Sequence, residues 1–158
     1  PRASTSTAFA ALGIRSDGLR RFVSLTFATP LGLMIFDSSA KAVFAPEIMP
    51  PNFGTASGSL LSIRPQSYFA AGGDMIAIAE ALPGMAARYA TLEMPVGILF
   101  GRSDQVLEPD YHGNLLRDAV ADATLTLIDG GHMIVVTAPD QVSSWILEQV
   151  TRLEQAGL

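Results

Sequence analysis

The stretch Val96-Gly97-Ile98-Leu99-Phe100-Gly101, followed by Arg102-Ser103-Asp104, decides the fold class of this chain. A short apolar run closed by a glycine is typical of a strand that is buried on both faces, as in a parallel sheet. The polar residues that follow predict a loop at the carboxyl end of this strand. We therefore expect an α/β fold around this segment.

A helix and a second strand follow in the sequence. Pro109 stands where the first residue of a helix would, and the residues after it carry one apolar helical face. Residues 124–128, with β-branched side chains and partial alternation, predict the second strand. From Pro139 an amphipathic pattern predicts a helix that runs toward Leu153. Residues 91–158 are thus predicted to form a right-handed β-α-β-α unit with two parallel strands.

The first 90 residues show no alternating strand pattern. From Phe9 to Val43 the pattern is weakly helical, with a break expected at Pro30 to Gly32. Residues 44–66 are rich in proline and glycine, which predicts loops. Residues 68–82 predict a helix that ends at Pro83-Gly84. We interpret residues 1–90 as a helical cap or lid with its connecting segment.

The composition indicates apolar surface that something else covers. The 158 residues are 49% hydrophobic and only 16% charged, whereas charged residues usually make up about 25% of a soluble domain. Two parallel strands do not form a stable doubly wound sheet, because both faces and both edges need neighbours. We therefore expect the rest of the sheet to come from a missing upstream half, or from a partner that covers the strand edge.

Several classes of function are not expected. The net charge of −5 without a basic stripe argues against nucleic-acid binding. The absence of cysteine, of clustered metal ligands and of a phosphate-cradling glycine loop predicts no metal and no cofactor. The longest apolar run, Phe22 to Phe36, is too short and too interrupted to span a bilayer. The sequence thus predicts no membrane contact and favours a soluble, cytoplasmic protein.

Two polar side chains follow the predicted strands and are the candidate catalytic residues. Asp104 lies beyond the carboxyl end of the first strand, and His132 lies beyond the carboxyl end of the second. Because parallel strands end at the same edge of a sheet, the two side chains are expected to approach each other. A carboxylate that accepts from one imidazole nitrogen leaves the other free to take a proton.

The segments around these residues resemble a known family. Residues 89–109, from Tyr89-Ala-Thr-Leu-Glu-Met-Pro95 to Pro109, are similar to the acid-bearing segment of α/β-hydrolase fold enzymes. Leu127-Ile-Asp-Gly-Gly131-His132 and Ala138-Pro139-Asp140-Gln141-Val142 resemble their histidine segment and last helix. The resemblance implies that Asp104 is the acid and His132 the general base of a hydrolase acting on a small apolar ester or related acyl substrate.

The chain departs from that family in lacking a nucleophile elbow. The family's order is nucleophile, acid, histidine, so the elbow should lie upstream of Asp104. The nearest imitation, Gly54-Thr-Ala-Ser57-Gly58, has its serine off by one position. The nucleophile could therefore be a serine or an aspartate outside this chain, and the isolated chain is predicted to be inactive. The alternative is a non-catalytic module that binds a ligand or a protein.

Other residues have two open interpretations. Met133 directly follows the general base and is a candidate for lining the substrate cleft. If residues 40–80 form a cap, then Phe44, Phe53 and Tyr68 are candidate pocket walls, with plain cap core as the alternative. Asp129 is a candidate substitute acid, although a turn residue that caps backbone amides is the favoured interpretation.

Overall fold

The computed structural model describes residues 13–155 and Gly157, and these divide into two compact units. The first unit lies within Pro1–Ser39 and Pro50–Ala86, and the second within Ala40–Met49 and Ala87–Leu158. The assignment of residues 1–90 to a cap stays a prediction, and its first twelve residues lie outside the described part. Residues 40–49 group with the carboxyl-terminal residues, which the sequence pattern did not anticipate.

The first unit is helical in its described part. Its elements are α1 (Asp17–Val23), a π-helical turn (Ser24–Ala28), most of α2 (Thr29–Phe44), α3 (Phe53–Ala56), a 3-10 turn (Ser59–Ile63) and most of α4 (Pro65–Ala87). Ser16 begins α1 as its N-cap, because its hydroxyl accepts a hydrogen bond from the amide of Leu19 at 3.4 Å.

The helices α1 and α2 are joined through the π turn into one continuous helix over Asp17–Phe44. The break predicted at Pro30 to Gly32 is therefore wrong. Proline lacks an amide hydrogen and its ring crowds the carbonyl four residues earlier. The π turn directly before Pro30 widens the helix at this point, which relieves that crowding.

This continuous helix is also apolar and largely exposed. By length and composition alone it could cross a membrane, since its most apolar 18-residue window has a mean hydropathy of 1.3, and it is the one such helix in the described part of the chain. Only 11% of its most apolar window is buried. Its exposed large side chains include Leu19, Phe22, Leu25, Phe27, Leu31, Leu33, Met34 and Ile35. The argument that the run from Phe22 to Phe36 is too short and too interrupted to span a bilayer is therefore wrong, whereas the expectation of no membrane contact stays a prediction.

The helix α4 also continues through a proline. The sequence predicted an end at Pro83-Gly84, but the helix runs from Pro65 to Ala87 with Pro83 inside it. Proline leaves the carbonyl of residue 79 without its helical donor. Residues 79–88 are all exposed, so water can satisfy that carbonyl and the helix does not need to stop.

A buried arginine connects α1 to α4 inside the first unit. The Arg20 guanidinium donates to the Asp17 carboxylate at 2.6 Å and to the Ile14 carbonyl at 3.0 Å. Its charged carbon also lies 4.6 Å from the centre of the Phe69 ring. The carboxylate and the aromatic face together compensate the burial of this positive charge.

The second unit contains the predicted sheet. Strands β1 (Val96–Gly101) and β2 (Ala123–Ile128) pair in parallel, with Val96 opposite Ala123 and Gly101 opposite Ile128. The other elements are a 3-10 turn (Tyr89–Thr91), a π turn (Pro109–Gly113), α5 (Asn114–Ala119), α6 (Ile134–Thr137) and α7 (Pro139–Gln155). The α/β fold with two parallel strands is thus confirmed.

Helical elements pack against both faces of this two-stranded sheet, although the residues of β2 are all only half-buried. On one face the Trp145 indole of α7 donates to the Thr126 hydroxyl at 3.1 Å, and its ring would lie only 3.0 Å from a Cβ atom at position 97, so a side chain there would have to displace the indole slightly. On the other face Gly113 of the π turn packs against the side chain of Leu125. The alternation of strand residues thus places a helical element against each face.

Candidate active site

The turns that follow β1 and β2 are bonded to each other beyond the ends of the strands. The amide of Arg102 donates to the carbonyl of Ile128 at 2.8 Å, and the amide of Ser103 donates to the carbonyl of Gly130 at 2.8 Å. A Cβ atom at Gly101 would collide with the carbonyls of Gly130 and Gly131. Position 101 therefore requires glycine, and the close approach brings the two candidate catalytic loops together.

Asp104 is held in one orientation by its own loop. Its side chain is only 4% exposed. Oδ1 accepts hydrogen bonds from the amides of Val106 at 2.8 Å and Leu107 at 2.9 Å. Oδ2 lies 2.9 Å from Nδ1 of His132. The two amides stabilise the carboxylate and direct its second oxygen at the imidazole.

His132 is partly open to solvent, with a side chain that is 29% exposed. When Nδ1 donates to the Asp104 carboxylate, the lone pair of the neutral ring is on Nε2. Within residues 13–155 the structure gives Nε2 no hydrogen-bonding partner, so this nitrogen is available to a reacting group. The structure brings Asp104 and His132 together as expected, and their catalytic role stays a prediction.

Sequence reasoning missed a third group at this site, Glu47. Its Oε1 accepts a hydrogen bond from the amide of Gly131 at 2.7 Å, although the two residues are 84 positions apart. Its Oε2 is buried and has no hydrogen-bonding partner in the described part of the chain. Glu47 lies in the proline-rich stretch that was predicted only as loop, and no local pattern signals a contact over this distance.

The candidate pocket residues lie in different units. Met133 is half-buried directly after His132, at the start of α6. Phe44 belongs to the same unit as His132 and is fully buried, at 0% exposure, which favours packing over contact with a substrate. Phe53 and Tyr68 are half-buried in the other unit. A substrate-lining role for these residues stays a prediction.

The other candidates have structural partners. The Asp129 side chain is 98% exposed and pairs with Arg102 at 3.6 Å, so the expected amide capping is not found. The Ser57 hydroxyl donates to the carbonyl of Phe53 at 2.6 Å and accepts from the amide of Ser59 at 3.2 Å, which closes α3. Among the described residues, no group of three or more potential ligands could hold a metal ion.

Comparison with solved structures shows what the fold of this chain is similar to. No protein-family model matches the chain, and no curated protein matches it. A crystal structure of a "putative lipase" from Acinetobacter baumannii AYE is similar in fold, with a TM-score of 0.62, 21% identity and coverage of 80% of this chain. The match covers 46% of that protein, so the chain spans about half of its length. At this identity the likeness shows the fold alone, which is a partial lipase-like α/β fold.

Proposed function

We propose that this chain supplies the acid and the general base of a hydrolase that acts on a small, apolar ester or related acyl substrate. The observation that carries the proposal is the hydrogen bond of 2.9 Å between Oδ2 of Asp104 and Nδ1 of His132, at the carboxyl edge of a parallel sheet. Functional groups of open α/β sheets gather at this edge. The lipase-like fold of the Acinetobacter baumannii protein supports a hydrolase in general.

In the proposed mechanism His132 moves protons and Asp104 orients it. Nε2 of His132 takes the proton of the attacking hydroxyl and gives it to the leaving alcohol as the ester bond breaks and the acyl intermediate forms. In the second step Nε2 takes a proton from water, which attacks the acyl intermediate, and returns that proton to the nucleophile as the acid is released. Asp104 remains ionised, keeps the proton on Nδ1 and stabilises the imidazolium that forms. Burial of the carboxylate keeps water from competing for the imidazole, because its side chain is only 4% exposed.

The nucleophile and the oxyanion donors belong to residues outside this chain in this proposal. An upstream half of the fold would supply them and would also cover the free edge of the two-stranded sheet. A serine nucleophile fits the proposed ester substrate. An aspartate nucleophile carries no proton to remove, so His132 would then act only on the water of the second step, and the enzyme would be an epoxide hydrolase or a dehalogenase. The 158-residue chain alone is then inactive toward esters.

The test uses this chain together with its proposed upstream half, which we call the full-length protein. It measures hydrolysis of a chromogenic ester of a short acyl chain by this protein and by its His132→Ala variant. We expect the variant to lose at least a hundredfold in kcat, the lower range for removal of a general base. The matched control is His112→Ala, because His112 lies in the π turn, where its ring bonds the carbonyl of Glu108 at 3.2 Å and contacts the ring of Tyr111. Full activity in the His132 variant would refute the proposal.

A non-catalytic binding module is the second candidate, favoured by the exposed apolar face of the Asp17–Phe44 helix. A module that is complete by itself should stay in solution and unfold cooperatively. Half of a hydrolase should instead aggregate or unfold without a cooperative transition when it is expressed without its upstream half. Urea unfolding and the aggregation state of the isolated 158-residue chain therefore separate the two functions, whereas the exposed helix face would bind a hydrophobic dye in either case.

A further inference from the structure

The carboxylate of Glu47 lies against the turn that carries His132. Oε1 accepts from the amide of Gly131 at 2.7 Å, and Gly131 is the residue directly before His132. We propose that Glu47 is a positioning residue, which fixes this turn so that the His132 ring keeps its bond to Asp104. The catalytic consequence rests on the proposed function, whereas the structural effect does not.

Gly131 is enclosed from two sides. A Cβ atom at this position would collide with the carbonyl of Ala45 and would lie 2.7 Å from Oε2 of Glu47. From the other side, a Cβ atom at Gly101 would collide with the carbonyl of Gly131 itself. The turn is thus held between the end of β1, which leads to Asp104, and the segment that carries Glu47.

Two hydrogen bonds restrain this turn: the Ser103 amide donates to the carbonyl of Gly130 at 2.8 Å, and the Gly131 amide donates to Glu47 at 2.7 Å. Gly130 has a φ of +144°, a conformation that costs a glycine little and that gives the turn no stiffness of its own. The amide of Gly131 has the Glu47 carboxylate as its acceptor, and a bond to an ionised acceptor is stronger than a neutral one. A carboxylate here therefore restrains the backbone from which the His132 side chain extends.

The second oxygen of Glu47, Oε2, is buried and accepts no hydrogen bond from the described part of the chain, which costs free energy. A glutamine would keep an acceptor for Gly131 without that charge. The proposed role requires an acceptor oxygen on a side chain long enough to meet the Gly131 amide. Substitutions can therefore change the length of the side chain and its charge separately.

The experiment compares Glu47→Asp, Glu47→Ala and Glu47→Gln in the full-length protein. Aspartate keeps the charge but is one methylene shorter, so it withdraws the acceptor from Gly131. Glutamine keeps the reach of the acceptor and removes the charge. Glu93→Ala is the matched control, since Glu93 is exposed in the same unit, near the other end of β1. The readouts are amide hydrogen exchange at Gly131, the 15N shifts of the His132 ring, and kcat and KM for the ester.

We expect Glu47→Asp to raise the exchange rate of the Gly131 amide about tenfold or more, the effect of losing one bond to a charged acceptor. The 15N shifts should move toward a mixture of ring tautomers, and kcat should fall about 10- to 100-fold with little change in KM. Glu47→Gln keeps the bond but with a neutral, weaker acceptor, so all three readouts should lie between those of the wild type and those of Glu47→Asp. If Glu47→Ala does not fold, the comparison of Asp with Gln still tests the proposal.

Two results would overturn the proposal. One is unchanged Gly131 exchange and unchanged His132 shifts in Glu47→Asp. The other is a loss in Glu47→Gln as large as in Glu47→Asp, because charge and not the hydrogen bond would then be responsible. Neither result depends on hydrolysis. Failure of the proposed function is recognised separately, by ester turnover that survives His132→Ala.

Discussion

Replacing Asp104 by asparagine changes one atom at the centre of the candidate site. Asparagine keeps a carbonyl oxygen for the amides of Val106 and Leu107, which lie 2.8 Å and 2.9 Å from Oδ1. In place of Oδ2 it has an amide nitrogen, which donates and cannot accept from Nδ1 of His132. The ring is then expected to adopt the opposite tautomer, with its proton on Nε2.

Asp104→Asn is expected to lower both the free energy of unfolding and kcat, and the two losses can be compared. The loss of a single bond to a charged group, here 2.9 Å long, lowers the free energy of unfolding by about 1.5–3 kcal/mol. The same substitution in a Ser-His-Asp triad lowers kcat about 10⁴-fold. That factor corresponds to about 5 kcal/mol of transition-state stabilisation. The catalytic loss should therefore exceed the loss of stability.

The assay measures ester hydrolysis by the full-length protein together with its urea unfolding. Asp104→Ala is the companion variant, because it also removes the acceptor of both backbone amides and should cost about 3–5 kcal/mol of stability. Asp129→Asn is the control, since the Asp129 side chain is 98% exposed. A kcat of Asp104→Asn within about tenfold of the wild-type value would correspond to less than about 1.4 kcal/mol of activation free energy. That result would mean that Asp104 does not orient a general base.

Two further predictions concern the packing around the sheet. Gly101→Ala should lower the free energy of unfolding by about 1–3 kcal/mol or more, and should also lower ester hydrolysis, because its Cβ would collide with the backbone of Gly130 and Gly131. Gly84→Ala is the control, since Gly84 has open space around it. An unfolding midpoint of Gly101→Ala equal to that of the wild type would contradict the packing argument. Trp145→Phe should lower the free energy of unfolding by about 0.5–1.5 kcal/mol through the lost bond to the Thr126 hydroxyl. Thermal unfolding of Trp145→Phe, Thr126→Val and the double variant measures it, and fully additive losses would mean that this bond contributes nothing.

The elements of the second unit could be predicted because their signals are local. The apolar run at residues 96–100 became β1, which extends one residue further to Gly101. The β-branched stretch at 124–128 became β2, which begins one residue earlier at Ala123. The amphipathic pattern from Pro139 became α7, which ends at Gln155. In each case the periodicity and the flanking turn residues agree with the tertiary packing.

The helices of the first unit were less predictable because proline was given too much weight. Pro30 follows a π turn and Pro83 lies in an exposed helical segment, and in both settings a helix continues. Pattern analysis recognises the residue type but not the widened turn or the solvent that compensates it. Glu47 could not be predicted for another reason. Its contact with Gly131 joins residues that are 84 positions apart, and no local sequence pattern indicates such a contact.

The parallel register of β1 and β2 has a consequence for protein engineering. Asp104 and His132 are 28 positions apart and are carried by one βαβ unit, so a contiguous stretch of chain brings the pair together. A designer who grafts this stretch onto another parallel sheet would transfer the pair with its internal spacing. The graft would leave behind the acceptor on Glu47, 84 positions before Gly131. Such a transplant therefore needs a substitute acceptor from its new host.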